Sequence, residues 1–400
     1  MTTTIDNEHK TFNVPNLRFP EFEGEWQEKR LSDIADLSKG IGISKDQLSA
    51  DGEPCILYGE LYTKYKSETI KEVISKTNID NTKLVKSKAN DVIIPCSGET
   101  AEEIATARCV LKDDVLLGGD LNIIRLHGYD GSFMSYQLNG KRKYDIAKVA
   151  QGVSVVHLYG EHLKNIKTIN PGLNEQKKIA NLLSLLDERI ATQNKIIDKL
   201  QSLIKGISNR LLYADNSMSI RIEEMLIERS ERTKKNNQYE ILSSTVNGIF
   251  SQRDYFSKDI ASDNNVGYKI IHLHDIVLSP QNLWMGNINF NDKFDIGIVS
   301  PSYKVFSIAD GFDKKYVAAL LKTHHALYNY MLVSEQGASI VRRNLNYEAF
   351  EQLVFKIPSL NKQQEIGHVI SLLKSQLENA NLLIKTYNSQ KQYLLRQMFI

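Results

Sequence analysis

The chain has 400 residues, a formal charge of +2, 42% hydrophobic and 24% charged residues. That length exceeds what one core usually serves, and the composition excludes wholesale disorder, so two or three folded domains are expected. No uncharged apolar run reaches membrane-spanning length, and the three cysteines, Cys55, Cys96 and Cys109, stand apart, which argues against a membrane protein, a disulfide framework or a zinc knuckle and for a cytoplasmic location.

Taken in order, residues 1–10 are polar and lack the apolar core of a secretion signal. Short apolar or alternating runs at 55–61, 91–95 and 115–126, punctuated by Gly, Asn, Asp and Pro, predict strands, and 133–138 predicts a helix. Pro171 then breaks the chain, and Asn174 is a suitable cap for a helix running to about residue 212. Strand-like runs return at 240–246, 268–279 and 296–308, followed by a helical pattern over 316–330. Pro358 and Asn361 open a second long helix that fills the rest of the sequence.

The order repeats because the residues repeat. Leu173, Asn174, Gln176, Ile179, Ser184, Leu185 and Leu186 return as Leu360, Asn361, Gln363, Ile366, Ser371, Leu372 and Leu373. Gln151-Gly152-Val153-Ser154 returns as Gln336-Gly337-Ala338-Ser339, and Asp91-Val92-Ile93-Ile94 resembles Asp275-Ile276-Val277-Leu278. Two copies of nearly half the chain each mean a duplicated module, not a solenoid. Each module is an α+β globule with a helical arm at its C-terminal end, giving divisions at 1–170, 171–213, 214–357 and 358–400.

Both arms carry a heptad seam. The first reads Ile179, Leu183, Leu186, Ile190, Gln193, Ile197, Leu200, Ile204, Ile207 and Leu211; the second reads Ile366, Ile370, Leu373, Leu377, Ala380, Ile384, Tyr387, Lys391, Leu394 and Met398. Each has one polar exception, Gln193 and Lys391, and the shared register predicts mutual packing as a coiled coil. A helix of that length spans about 58 Å at 1.5 Å per residue. Parallel pairing would force the intervening chain back along the whole arm, whereas antiparallel pairing needs no return, so a pseudo-twofold antiparallel pair is expected. Two heads on a rigid spacer suit a DNA site with two separated half-sites. A coiled-coil adaptor with two protein-binding heads and no DNA specificity is the alternative.

The layout resembles the specificity subunit of type I restriction-modification systems. The resemblance rests on Val14-Pro15-Asn16-Leu17-Arg18-Phe19-Pro20-Glu21-Phe22 with Trp26, the two Gln-Gly-x-Ser segments, and the helix starts Leu173-Asn174-Glu175-Gln176 and Leu360-Asn361-Lys362-Gln363. It implies two target-recognition domains reading a bipartite double-stranded DNA site and two docked methyltransferase subunits, with restriction subunits joining through them. It implies no catalytic centre on this chain; S-adenosylmethionine, ATP and magnesium belong to the partners. The second segment carries Arg342-Arg343 where the first has His157-Leu158.

The residues agree with a non-enzymatic role. Asn170-Pro171-Gly172-Leu173 lacks the second proline and aromatic of an adenine-methylase clamp, no phosphate loop occurs, and no histidine pair has a cysteine at zinc-site spacing. Candidate DNA contacts are cations, hydroxyls, amides and aromatics in loops. In the first head these are Lys39, Lys45, Tyr58, Lys64, Tyr65, Ser97, Thr100, Arg108 and His157. In the second they are Arg232, Lys234, Lys235, from the densest basic stretch, with Asn282, Trp284, Arg342 and Arg343, the last two being the best phosphate candidates. Charged flanks on the first arm, Lys177, Lys178, Asp187, Glu188, Arg189, Lys195, Asp198 and Lys199, are expected to be exposed and to help dock the methyltransferase subunits.

Overall fold

Each long helix begins where a proline ends a strand. Pro171 follows the strand Lys167–Asn170 and precedes the helix Leu173–Leu211; Pro358 follows Val354–Ile357 and precedes Leu360–Gln397. The computed structural model describes residues 13–152, 155–211, 218–255, 264–336 and 343–400, without the side chains of 209–211. Asn174 and Asn361 are not the caps. Both lie exposed inside the first turn, and the fastening residues are Gln176 and Gln363.

Those glutamines show the duplication at atomic level. Gln176 donates to the Pro171 carbonyl (2.7 Å) and accepts from the backbone N–H of Asp130 (2.9 Å); Gln363 donates to the Pro358 carbonyl (2.9 Å) and accepts from Asp313 (3.1 Å). Asp130 and Asp313 in turn cap the head helices Gly131–Asn139 and Lys314–Leu320. The side-chain oxygen of each satisfies an otherwise orphaned helix N–H. Asp91 and Asp275 are also equivalent: each is buried, ion-paired to an arginine (Arg125, 2.7 Å; Arg229, 3.0 Å), and accepts from the N–H three residues earlier.

The chain divides into two units, Met1–Asn194 with Leu382–Ile400, and Lys195–Asn381, so each long helix gives one half to each. In the first unit, Gln27–Arg30 pairs antiparallel with Lys167–Asn170. A five-stranded sheet runs Ala35–Lys39, Leu121–Leu126, Asp91–Pro95, Arg108–Val110, Thr69–Ile70, its last pair parallel. A second five-stranded sheet holds Glu53–Ile56 between Ser75–Thr77 and Leu116–Leu117. The predicted run at 115–126 is thus two strands in different sheets, split by Gly118-Gly119.

In the second unit, Met218–Arg221 pairs with Val354–Ile357, repeating the first. A four-stranded sheet runs Leu226–Glu228, Lys304–Ile308, Ile276–Leu278, Ile288–Phe290, beside the hairpin Leu242–Thr245 with Gly248–Ser251. The helix predicted over 316–330 is two, Lys314–Leu320 and His324–Leu332, because Thr323 turns the chain and caps the second by accepting from Ala326 N–H.

The direction of helix pairing is legible inside each unit separately. In the first, Ile179, Ala180 and Leu183 from the start of one long helix share a core with Leu395, Met398 and Phe399 around the end of the other. In the second, Ile207 near the end of the first packs on the core that holds Ile366 and Ile370 from the start of the second, and Ile204 and Ser208 share a cleft with Ile370 and Leu377. Start meets end both times, so the pair is antiparallel, as the seam predicts. Every seam position whose side chain is described is buried or half-buried; Leu211 lies outside the described side chains. The segment after residue 13 fastens the first unit: Arg18 forks onto Glu175 (2.8 Å to each oxygen), Leu17 N–H donates to the Gln397 carbonyl (2.9 Å), and Trp26 packs edge-on to Phe133.

Candidate nucleic-acid interface

In the first head, a close crossing of two glycine pairs builds one face. A Cβ at Gly40 would overlap the Gly118 carbonyl oxygen, and Gly119 packs on Gly42. Only glycine permits this backbone approach. It leaves Lys39 at a strand end, exposed, with its ammonium 5.7 Å from the Tyr159 ring. Tyr159 stacks on His157 (6.2 Å, 27°), and His157 pairs across a short ladder with Ser97. Ser97 donates to Asp120 (3.2 Å), and the Tyr62 phenol donates to the Ser97 carbonyl (3.3 Å). Burial, with Glu103 and Tyr58 nearby, holds that phenol above its ordinary pKa, so it stays a donor. Burial pushes the Cys96 thiol up to about 11, against the pull of Lys39 and with that of Asp120.

Lys39, Tyr58, Ser97 and His157 therefore lie in one neighbourhood, joined by Tyr62, Asp120 and Tyr159, which sequence reasoning missed. Tyr159 had a signal: it alternates with His157 and so shares its face in an extended segment. The other first-head candidates fall elsewhere. Arg108 is 9% exposed and spends its guanidinium on the carbonyls of Tyr65 (3.1 Å), Ala107 (3.0 Å) and Leu61 (3.4 Å). Three of its five N–H donors are thus spent on carbonyls, so Arg108 is a strand residue tied into the fold and not the exposed loop cation that the sequence suggests. Tyr65 is likewise buried, its hydroxyl accepting from Ile74 N–H. Lys64 binds Glu60 and Ser75 (2.6 Å each), Thr100 caps the turn Ala101–Ile104, and Lys45 is exposed in the turn Lys45–Gln47.

The second head uses a matching hairpin. Gln151 and His157 exchange both backbone hydrogen bonds (2.9 and 2.7 Å), and Gln336 pairs with Arg343. The partner equivalent to His157 is thus Arg343; Arg342 lies outside the described residues, as do residues 153–154 and 337–341. Like His157 on Tyr159, Arg343 stacks on an aromatic, 4.7 Å above the Trp284 ring, and its N–H donates to the Gln281 carbonyl (3.1 Å) beside Asn282. Trp284, Asn282 and Arg343 form one site. The run Arg232, Lys234, Lys235 is exposed and tied to a different turn, Arg232 donating to the Gly267 carbonyl (2.8 Å).

The arm flanks need one correction. Lys177, Lys178, Glu188, Arg189, Lys195, Asp198 and Lys199 are exposed, but Asp187 is buried and accepts from the Tyr136 hydroxyl (2.7 Å) and the Ser67 hydroxyl (2.9 Å). The seam exception Lys391 explains this: its ammonium bridges Asp187 and Glu68, 2.6 Å from each. Burial holds the Glu68 carboxyl above its ordinary pKa, against the attraction of Lys391.

A family described as the type I restriction modification DNA specificity domain matches residues 23–202. The specificity subunit of the type I restriction enzyme MjaVIII from Methanocaldococcus jannaschii is 29% identical over 196 residues, 49% of this chain and 43% of that protein. The alignment thus spans less than half of the curated relative's length. Among solved structures, the S subunit of a type I restriction-modification system from M. genitalium superposes with a TM-score of 0.64 at 16% identity, covering 97% of this chain and 99% of that one. The HsdS subunit from Thermoanaerobacter tengcongensis is a looser likeness, with a TM-score of 0.41 at 12% identity over 96% and 98% of the chains.

Proposed function

We propose that the chain is a specificity subunit of a type I restriction-modification system, the non-catalytic subunit that reads a bipartite double-stranded DNA site. The observation that carries this is the duplicated reading hairpin: Gln151 with His157 on Tyr159 in one half, Gln336 with Arg343 on Trp284 in the other. Aromatic and cationic groups displayed on paired strands suit contact with bases and phosphates. The two sets differ in chemistry, so the two half-sites differ in sequence.

In this reading two methyltransferase subunits dock on the paired helices, restriction subunits join through them, and the whole acts in the cytoplasm as a DNA adenine methyltransferase and ATP-dependent endonuclease. The exposed apolar residues Leu185 and Ile196 recur at the equivalent positions Leu372 and Leu383, which favours two copies of one protein partner. S-adenosylmethionine, ATP and magnesium would be held by those partners. Among the described residues, no group of three His, Cys, Asp or Glu is placed to hold a metal, and no helix is long and apolar enough to cross a membrane. Nuclease protection of duplex DNA by the chain with its methyltransferase partner tests the reading. Two protected segments with an intervening gap support it; no protection, or methyl transfer by the purified chain alone, overturns it.

A further inference from the structure

Each unit builds a basic cleft from repeat-equivalent positions, outside the reading hairpins. In the first unit a cleft of about 410 Å³ lies between Asn139, Gly140 and Lys141, after the capped head helix, and Gln392 and Leu395 near the end of a long helix. In the second unit a cleft of about 350 Å³ lies between Lys322, Thr323 and His324, which repeat the first three, and Lys205 and Ser208, which repeat the last two. Lys143, Arg396 and the carbonyl-bound Arg108 also line the first; its one carboxylate, Glu68, is answered by Lys391. Lys374 lines the second, whose lining holds no carboxylate, while Asp292 and Glu378 act on its ammonium from outside the cleft. Lys322 donates to the Val246 carbonyl (3.1 Å), and burial, with Lys374 nearby, pushes its ammonium down to about 8. A neighbouring anion would relieve both charges.

The positive character repeats while the side chains do not: Lys141 corresponds to His324, Asn139 to Lys322, and Gln392 to Lys205. Two copies of one protein partner would require the same shape and hydrogen bonds at both places, as the recurring Leu185 and Leu372 supply on the helices. A phosphate needs charge more than shape. We propose that the two clefts are seats for DNA backbone phosphates, one in each half, adding sequence-independent affinity to the reading hairpins. This rests on the DNA-reading role above.

The test uses the full chain bound to its methyltransferase partner, titrated against a duplex carrying its site and an unrelated duplex at several salt concentrations. The variants are Lys141→Gln with Lys143→Gln, and Lys205→Gln with Lys374→Gln. Affinity for both duplexes is expected to fall, and the slope of log K against log salt to shrink by about 0.9 for each phosphate left without its cation. The motif methylated should not change, and Lys→Arg versions should keep the original slope. Unchanged affinity and slope in both pairs overturn the proposal, as does loss of the methyltransferase partner with the DNA slope intact, which would assign the clefts to an acidic protein segment. If the unaltered complex protects no two-part site, the DNA-reading role fails and takes this inference with it; if it does and the variants bind alike, only the clefts are refuted.

Discussion

Replacing Lys391 by methionine keeps the volume of a seam residue and removes only its charge. The ammonium bridges two carboxylates whose side chains are 10% and 7% exposed, itself 12% exposed. Without it, Glu68 and Asp187 face each other in a site largely shielded from water, and breaking a buried pair costs about 3–5 kcal/mol. Tyr136 and Ser67 still donate to Asp187, and Glu68 escapes part of the penalty by taking a proton. The expected loss is therefore about 3 kcal/mol at pH 7.5, or roughly 6–12 °C in the melting of a unit of this size.

The pH dependence has a definite sign. The folded pKa of Glu68 already lies above its unfolded value, so the folded protein binds more protons and its stability falls as pH rises through that interval. Removing Lys391 raises the folded pKa further. The penalty should therefore grow from pH 5.5 to pH 7.5, and Glu68→Gln in the same chain should return at least half of it. Denaturant unfolding of the unaltered chain, Lys391→Met, Glu68→Gln and the double variant at both pH values reads this directly. A loss under about 1 kcal/mol, or one equal at the two pH values, would refute the buried-bridge argument.

Gln176→Ala and Gln363→Ala each remove two hydrogen bonds at a helix start, so each should cost about 2–3 kcal/mol, seen by hydrogen exchange as faster opening of the Asp130 or Asp313 cap in its own unit. Gly40→Ala should destabilise the first head, because backbone and not a flexible side chain meets the added carbon; thermal melting checks it, and an unchanged midpoint contradicts it. Trp284→Ala should loosen selection at one half-site only, whereas Lys39→Gln should weaken binding to all sequences and lower the salt slope by about one. Binding selections from randomised duplexes separate those outcomes.

The parts legible in the sequence are those written locally. Proline before each arm, heptad spacing and the repeat of Leu173 to Leu186 need no partner to be recognised, and they specify the antiparallel helices. The polar exception Lys391 is visible as an anomaly, but its reason is not, since Glu68 reaches it from more than three hundred residues away. The same non-locality hides Arg108. A cation in a strand reads as an exposed contact until the carbonyls of Tyr65 and Leu61 close over it. The repeat sets Arg342-Arg343 beside His157-Leu158, one position out of register, because the residue opposite Gln336 is fixed by ladder pairing, which places Arg343, not Arg342, opposite it. Tyr159 and Trp284 gain meaning only through what stacks on them.

Mapping methylated adenines across the genome of a host given this chain with its methyltransferase partner tests the central claim most directly. The account predicts one new motif made of two different specified segments separated by a constant number of unspecified bases, with Trp284→Ala degrading one segment and leaving the other. A single uninterrupted motif, or a methylation pattern indifferent to this chain, would contradict it.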